Sequence, residues 1–359
     1  MCMEKILVAM SGGVDSSVAA AVLREQGYEL EGVTMKLYDS ADPGFENPYT
    51  CCSENDIRDA MAVCALLGIP YSVSDFRMDF NKTVIDPFVN EYLEGKTPNP
   101  CINCNRYLKF GALLEKAKEL GCSAVATGHY ARIKRDDGTG KWILLRSLNR
   151  EKDQSYVLYG LTQDALSMIR FPLGEMSKDS VRAKALEYSL SNASKHDSQD
   201  LCFVNKDGYA AFMEKYTGVR LREGNFTDPS GKILGRHKGI GAYTIGQRKG
   251  LGISSDSPLY VKEIRPATAE IVLSDEKSLY SGSCTLSQFN WISGEAPDSP
   301  VRCTVKTRYT AKETDAVLYP EDPVRVSFDT PQRAVTPGQS LVAYKGEEVL
   351  GGGVIVKSL

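Results

Sequence analysis

Lys5-Ile6-Leu7-Val8-Ala9-Met10-Ser11-Gly12-Gly13-Val14-Asp15-Ser16-Ser17 is the stretch that decides the fold. Its apolar first half reads as a buried strand. Ser11-Gly12-Gly13 reads as a turn. Ser16 to Gln26 then reads as a helix, stopped by Gly27. Glycines let backbone N–H groups approach an anion closely, and a helix N-terminus adds positive potential. Ser11, Ser16 and Ser17 add hydroxyl donors. Asp15 is the unusual member, because a carboxylate beside phosphates usually signals a bound magnesium ion. The loop is not of the Walker A type: Gly95-Lys96-Thr97 resembles the end of that motif, but position 90 is asparagine.

Outward from this loop, strand and helix signals alternate. Gly32 to Leu37, Pro70 to Asp75 and Ser123 to Thr127 are predicted strands. Asn55 to Leu67, Phe80 to Glu94 and Tyr107 to Leu120 are predicted helices. Strand and helix in repetition predict an α/β fold, a parallel sheet with flanking helices. Tyr130 to Arg135 and Trp142 to Arg146 flank Asp136-Asp137-Gly138-Thr139-Gly140, a hairpin signal. Asp153 to Arg170 and Lys178 to Leu190 read as helices. Residues 206 to 260 are rich in glycine and basic residues, with weak periodicity. From Leu259 onward the chain reads as short strands only, which predicts a small barrel or sandwich. Gly239 to Gly252 is long, basic and glycine-rich, and reads as a mobile loop that RNA could order, with a rigid structural connection as the alternative.

The chain has 359 residues, 42% hydrophobic and 25% charged, an ordinary globular composition for two or three domains. No apolar run is long enough for a signal peptide or a membrane span, which predicts a cytoplasmic protein with no membrane partner. Net charge is −3, so nucleic-acid binding would rest on local patches. Such patches occur at Arg132, Lys134, Arg135 and Lys141, at Arg146, Arg150 and Lys152, and at Arg236, His237, Lys238, Arg248 and Lys249.

Ten cysteines in a chain this long are not a secreted framework. Asn99-Pro100-Cys101-Ile102-Asn103-Cys104-Asn105 holds a CxxC ahead of a predicted helix, a setting that favours thiolate. Half a zinc site, a redox pair, an iron–sulfur ligand set and a catalytic nucleophile are all open readings. Only three histidines are available, so a closed zinc site is poorly supplied. Cys202 on its own reads as a buried thiol, as do Cys51, Cys52, Cys64, Cys122, Cys284 and Cys303. Cys2 is terminal.

The Ser11–Ser17 loop, Thr97 to Asn105, Thr127-Gly128-His129-Tyr130-Ala131-Arg132, Lys152-Asp153-Gln154-Ser155-Tyr156, Ser198 to Phe203 and Tyr243 to Gly252 occur in that order. Together they resemble the bacterial-type tRNA-specific 2-thiouridylases of the PP-loop ATP pyrophosphatase superfamily. The motifs thin out after about residue 255. The resemblance implies an N-terminal PP-loop domain over residues 1–205, a central tRNA-binding domain over 206–275 and a C-terminal β-barrel over 276–359. It implies replacement of the C2 oxygen of the wobble uridine by sulfur, in tRNAs for Lys, Glu and Gln. That oxygen is a poor leaving group until ATP adenylates it. A protein persulfide is a sensible sulfur carrier, loaded by a cysteine desulfurase or a sulfur relay protein.

By motif match, Cys104 is the family's nucleophile and Cys202 the cysteine that carries the persulfide. A disulfide between them is the implied by-product of turnover. Ala9, Met10, Ser11, Gly12, Gly13, Val14, Asp15, Ser16, Met35 and Gly128 match ATP-binding positions. Thr97, Pro98, Asn99, Pro100 and Cys101 match the target-base segment. Lys152, Asp153 and Gln154 match a tRNA-contacting segment, as do Arg308 and Tyr309. Many family members carry aspartate where this chain has Cys101. A trio of Cys101, Cys104 and Cys202 opens an alternative in which an iron–sulfur cluster carries the sulfide. A PP-loop amidating synthetase is a second alternative, although the chain shows no glutaminase motif. A non-enzymatic tRNA-binding protein with a relic nucleotide site is a third. The intact loop and both matching cysteines argue against it.

Overall fold

The computed structural model describes residues 4–39, 42–45, 53–195, 201–205 and 207–359. Cys2, Cys51, Cys52, His196 and the Ser198–Asp200 part of one motif lie outside the described residues. The first unit is a five-stranded parallel sheet in the order β3-β2-β1-β4-β7. Its strands are β1 (Lys5–Ala9), β2 (Glu29–Lys36), β3 (Tyr71–Asp75), β4 (Ala124–Ala126) and β7 (Ile169–Arg170). β1 pairs with β2 on one side and β4 on the other, so the strand order reverses between β1 and β4. Ligands of such sheets bind outside the carboxyl ends of the strands at this switch point. β1 is buried on both faces, as the apolar run requires: Ile6, Leu7 and Val8 are fully inaccessible.

Two helices frame the loop, α1 (Val14–Glu25) and α2 (Glu54–Leu67). Ser53 and Asp56 form a reciprocal capping box at the start of α2. The next helical run is α3 (Arg77–Phe80), a π-helical turn over Asn81–Ile85, and α4 (Asp86–Leu93). The third begins earlier than the sequence signal. α5 (Pro100–Asn103) starts on a proline at its first position, with Asn99 as a side-chain cap. It continues as a π-helical segment over Cys104–Ala112, kinked at Phe110, into α6 (Leu113–Glu119). The CxxC therefore lies inside the first turns of a helix, not ahead of one.

The predicted hairpin forms as β5 (Ala131–Arg135) and β6 (Trp142–Arg146). The predicted helix over 153–170 does not form as one element. It breaks into a 3-10 turn at Ser155–Leu158, the short α7 (Gln163–Ser167) and the edge strand β7. Gly160 and the Thr162 cap interrupt it. α8 (Lys178–Glu187) packs on α1, and α9 (Gly208–Thr217) leads into the second unit.

That unit is a four-stranded sheet, β10-β11-β8-β9, from β8 (Gly224–Thr227), β9 (Ile233–His237), β10 (Tyr260–Arg265) and β11 (Glu270–Ser274). The expectation of a mobile 239–252 loop is corrected here. Ile240, Tyr243 and Leu251 are buried in this unit's own core with Phe226 and Val261, so the stretch is a packed connection.

The third unit is a closed six-stranded antiparallel barrel. β12 (Tyr280–Trp291), β15 (Val324–Arg333), β14 (Thr314–Tyr319), β13 (Val301–Lys306), β16 (Ser340–Lys345) and β17 (Glu348–Ser358) follow in that order, and β17 pairs back onto β12. The hairpin β5–β6 continues this barrel's sheet through Glu348 opposite Leu145. β12, the longest strand, was absent from the sequence expectation because Ser281, Ser283, Thr285, Ser287 and Gln288 dilute its apolar pattern. No helix among the described residues is long and apolar enough to cross a membrane.

Candidate functional site

The glycine loop leaves β1 at the switch point and is braced from several sides. Gly12 adopts φ +71°, a conformation that glycine tolerates at no steric cost. Asn192 Nδ2 donates to Gly12 O at 3.0 Å and to Ser17 Oγ at 2.9 Å. Lys195 Nζ donates to Gly12 O at 3.2 Å and bridges to Asp56 at 2.6 Å and Asp59 at 2.7 Å. Within the loop, Ser16 Oγ and Ser17 Oγ donate to Gly13 O, and Ser11 N donates to Ser16 Oγ. Ser11 is exposed, whereas Ser16 and Ser17 are buried. Ser11 is thus the exposed hydroxyl of the three, and its Oγ also lies 3.1 Å from Ser16 Oγ within the turn.

Gly128, just past β4, touches the loop from the other side of the switch point. A Cβ there would lie 2.7 Å from the Asp15 carbonyl carbon and 2.8 Å from Ser16 N, so only glycine permits the approach. Met35, near the end of β2, is buried in the core below the loop. His129 is buried between Phe110 and Phe171 and hydrogen-bonded to Thr127 Oγ1 at 2.7 Å. Burial holds its imidazole well below the usual histidine range.

Asp15 is not a free carboxylate. Tyr130 donates its phenol to Oδ1 at 2.8 Å, and Lys178 Nζ lies 2.8 Å from Oδ1 and 3.0 Å from Oδ2. The sequence expectation tied Asp15 to a metal, whereas a protein cation meets its charge here. Magnesium needs only one or two protein carboxylates beside phosphates. Tyr130 and Lys178 both contact Asp15 in this arrangement, and a magnesium ion held beside ATP would take most of its ligands from the phosphates.

Thr97 to Cys101 runs along the barrel. Thr97 N donates to Pro337 O at 3.0 Å, and Gln339 Nε2 donates to Thr97 O at 2.9 Å. Thr97 and Pro98 are buried, and the Thr97 hydroxyl has no hydrogen-bond partner among the described residues. A buried unsatisfied hydroxyl is costly unless something satisfies it. Cys101 is exposed; Cys104 and Cys202 are half-buried. Cys104, Cys202 and Ala9 all border the core cluster that contains Leu7, Met35 and Ile102. The Cys202 carbonyl accepts from Tyr38 at 3.0 Å, and Phe203 packs edge-on against Phe80 and Phe88. Cys64, Cys284 and Cys303 differ sharply. Burial pushes their thiols up to about 11, about 12 and about 11, the mark of inert packing residues. Among the described residues no three His, Cys, Asp or Glu side chains gather as a metal-ligand set. Cys101, Cys104 and Cys202 therefore do not fit a three-thiolate cluster in this arrangement.

The segments matched to tRNA contact meet beside the barrel. Asp153 Oδ1 accepts from Ser147 N and Ser155 N, and Gln154 Oε1 accepts from Tyr130 N. Arg308 is largely buried and donates to Ile245 O, Ala334 O and Thr336 Oγ1, which ties the barrel to the central unit. These three side chains serve the fold. Tyr309 is exposed at its ring and packs against Tyr156 at 5.8 Å. Lys306 Nζ stands 5.6 Å from the Tyr309 ring centre and 5.9 Å from that of Tyr156, with no hydrogen bond or ion pair among the described residues. Burial lowers its pKa. Of the basic patches, Arg132 and Arg150 both pair with Glu347, Arg146 with Glu313, Lys141 with Glu295 and Arg236 with Glu223. His237 is buried between the Ala269 carbonyl and Gly239 N. Arg248 and Lys249 are exposed.

Sequence reasoning missed Lys178, Asn192 and Lys195 as members of these sites, and gave Tyr130 and Lys306 no role of their own although both lie in segments that carry the resemblance. A lysine or asparagine far along the chain carries no local signal that it folds back onto a loop near the start.

Comparison with known proteins agrees with this architecture. Residues 4–206 match a family model described as a tRNA methyl transferase HUP domain. Residues 210–275 match a tRNA methyl transferase PRC-barrel domain, and residues 281–355 an aminomethyltransferase beta-barrel domain. A tRNA-specific 2-thiouridylase MnmA from Acetivibrio thermocellus is 50% identical over 358 residues, covering 99% of this chain and 100% of its own. One from Clostridioides difficile is 47% identical, covering 99% of both. Among solved structures, a U34-tRNA thiolase from Methanococcus maripaludis with a [4Fe-4S] cluster overlaps 60% of this chain and 64% of its own at 20% identity. Its TM-score of 0.34 is too low to bear on the cysteines. With half its residues shared with a full-length relative, and a loop, two thiols and three units arranged as described, the chain belongs to the tRNA-specific 2-thiouridylase family of enzymes.

Proposed function

We propose that this chain uses ATP to replace the C2 oxygen of the wobble uridine with sulfur in tRNAs for Lys, Glu and Gln. What supports the reading is that Cys104 and Cys202 both border the core cluster of the first unit, as does Ala9, the residue that ends β1 ahead of the phosphate loop. The uridine C2 oxygen attacks the α-phosphorus of ATP, and pyrophosphate leaves. The terminal sulfur of a persulfide on Cys202 attacks C2. Cys104 then attacks the inner sulfur, the sulfur–sulfur bond breaks, and AMP departs from C2 as the thiocarbonyl forms. The two cysteines end as a disulfide, which a thiol reductant must reopen before a sulfur donor protein reloads Cys202.

The base is held in this reading by Thr97, Pro98, Asn99, Pro100 and Cys101, with the unsatisfied Thr97 hydroxyl as one contact. Lys152 and Tyr309 contact the tRNA with Lys306, while Asp153, Gln154 and Arg308 hold that surface in shape. The three units divide at 1–205, 206–275 and 276–359. No step is routed through a metal or a cluster.

The deciding experiment is anaerobic incubation with ATP, a cysteine desulfurase, cysteine and unmodified tRNA-Lys, followed by mass spectrometry of nucleosides. Formation of 2-thiouridine by iron-free protein, lost in Cys202→Ser and retained in Cys101→Ser, is the expected result. Thiolation that requires iron and all three cysteines would replace the persulfide route by a cluster. No thiolation by the wild type would overturn the reading.

A further inference from the structure

Adenylation leaves a pyrophosphate whose charge must be met as the bond from the α-phosphorus breaks. A Walker loop does this with its own lysine. The Ser11–Ser17 loop has none. Lys178 comes to it from another helix. It is the first residue of α8, preceded by the Ser177 cap. Its Nζ spans both Asp15 oxygens at 2.8 and 3.0 Å, and its side chain is only 12% exposed. The Tyr130 ring lies 5.9 Å below the ammonium, and the Tyr130 phenol bonds the same carboxylate. α1 and α8 pack together, so their two N-terminal ends meet at this pair, each adding partial positive charge.

We propose that Lys178 supplies the cation this loop lacks: it contacts the departing pyrophosphate, and Asp15 positions it between turnovers. This rests on the ATP-splitting reading above. In the step, the C2 oxygen bonds to the α-phosphorus while the bond to the bridging oxygen breaks. The electron pair leaves on pyrophosphate, and Lys178 stays protonated and transfers no proton. A purely structural ion pair would have no preference between the two products. A cation at the leaving group discriminates pyrophosphate from AMP.

The test is tRNA-dependent exchange of labelled pyrophosphate into ATP, with product inhibition by pyrophosphate and by AMP measured separately. The wild type is measured first; if it exchanges nothing, the ATP-splitting reading fails and this inference with it. If it exchanges, Lys178→Met is expected to lower the exchange rate about 100-fold. The pyrophosphate inhibition constant should rise about tenfold, with that for AMP unchanged. Lys178→Arg keeps the charge and the Asp15 pair, and so guards against misfolding in the methionine variant. It should raise the pyrophosphate constant about threefold and leave that for AMP alone. Unchanged pyrophosphate constants in both variants, with only a lower melting temperature, would make Lys178 a structural ion pair and overturn the proposal.

Discussion

The phosphate-loop end of the parallel sheet and the rim of the barrel both present cations, and they treat them differently. At the loop, Lys178 and Lys195 each hold carboxylates, and Asn192 satisfies the Gly12 carbonyl and the Ser17 hydroxyl. At the rim, Arg308 has three protein oxygens, whereas Lys306, two residues before it, lies near two aromatic rings and makes no hydrogen bond or ion pair among the described residues. The loop is finished before any ligand arrives. The rim leaves one half-buried charge to be met from outside. Preorganisation belongs where bonds break, and unsatisfied charge where a polyanion docks.

Substitution should separate these roles by size. The largest effect is expected at the thiols. Cys104→Ser and Cys202→Ser should each lower 2-thiouridine formation at least ~1000-fold, because serine can neither carry nor release the sulfur. Pyrophosphate exchange should persist, since adenylation precedes sulfur transfer, so loss of both activities would mean the thiols act earlier. Next is Arg308→Ala. It removes hydrogen bonds between the barrel and Ile245 and leaves buried oxygens unpaired, a cost of about 2–4 kcal/mol. A urea unfolding midpoint equal to that of wild type would contradict the interdomain role.

Lys306→Gln should be milder and of another kind. Melting temperature should hold within a few degrees while tRNA affinity falls about tenfold and the slope of log K against log salt shrinks by about one. An unaltered slope would place Lys306 outside the RNA surface. The smallest expected effect is at His129. Its folded pKa is depressed, so the unfolded chain binds its proton more readily and stability is full above the ordinary histidine value. Below about pH 6.5 stability should decline, at up to ~1.4 kcal/mol per pH unit from this group. His129→Phe, set among Phe110 and Phe171, should flatten that part of the curve in urea titrations between pH 5 and 7.

Most of the fold was legible because its signals are local. β1, the glycine turn and α1 are contiguous, and the Asp136–Gly140 turn announces its hairpin. The loop was legible through motif order, and the same order singled out Cys104 and Cys202. Elements lacking a clean period were not. β12 is polar along much of its length, and the 153–170 stretch is apolar enough for a helix but is interrupted at Gly160 and the Thr162 cap. Packing of the 239–252 stretch was invisible because Ile240, Tyr243 and Leu251 find their partners on strands that follow or precede them by many residues. The pairing of charge is hidden in the same way. A sequence shows where lysines and arginines lie, but not that Glu347 takes Arg132 and Arg150 or that Glu313 takes Arg146.

The hairpin that runs from the first unit onto the barrel sheet has a consequence for dissecting the protein. Arg146 N donates to Glu347 O at 2.9 Å, and Leu145 faces Glu348, so β6 covers the first residues of β17. A fragment cut at residue 276 would keep all six barrel strands yet bare that backbone edge. It would also strip Glu347 and Glu313 of their arginines. Bare edges recruit other strands. Such a fragment should therefore self-associate in solution, and one that carries residues 131–146 in tandem should stay monomeric.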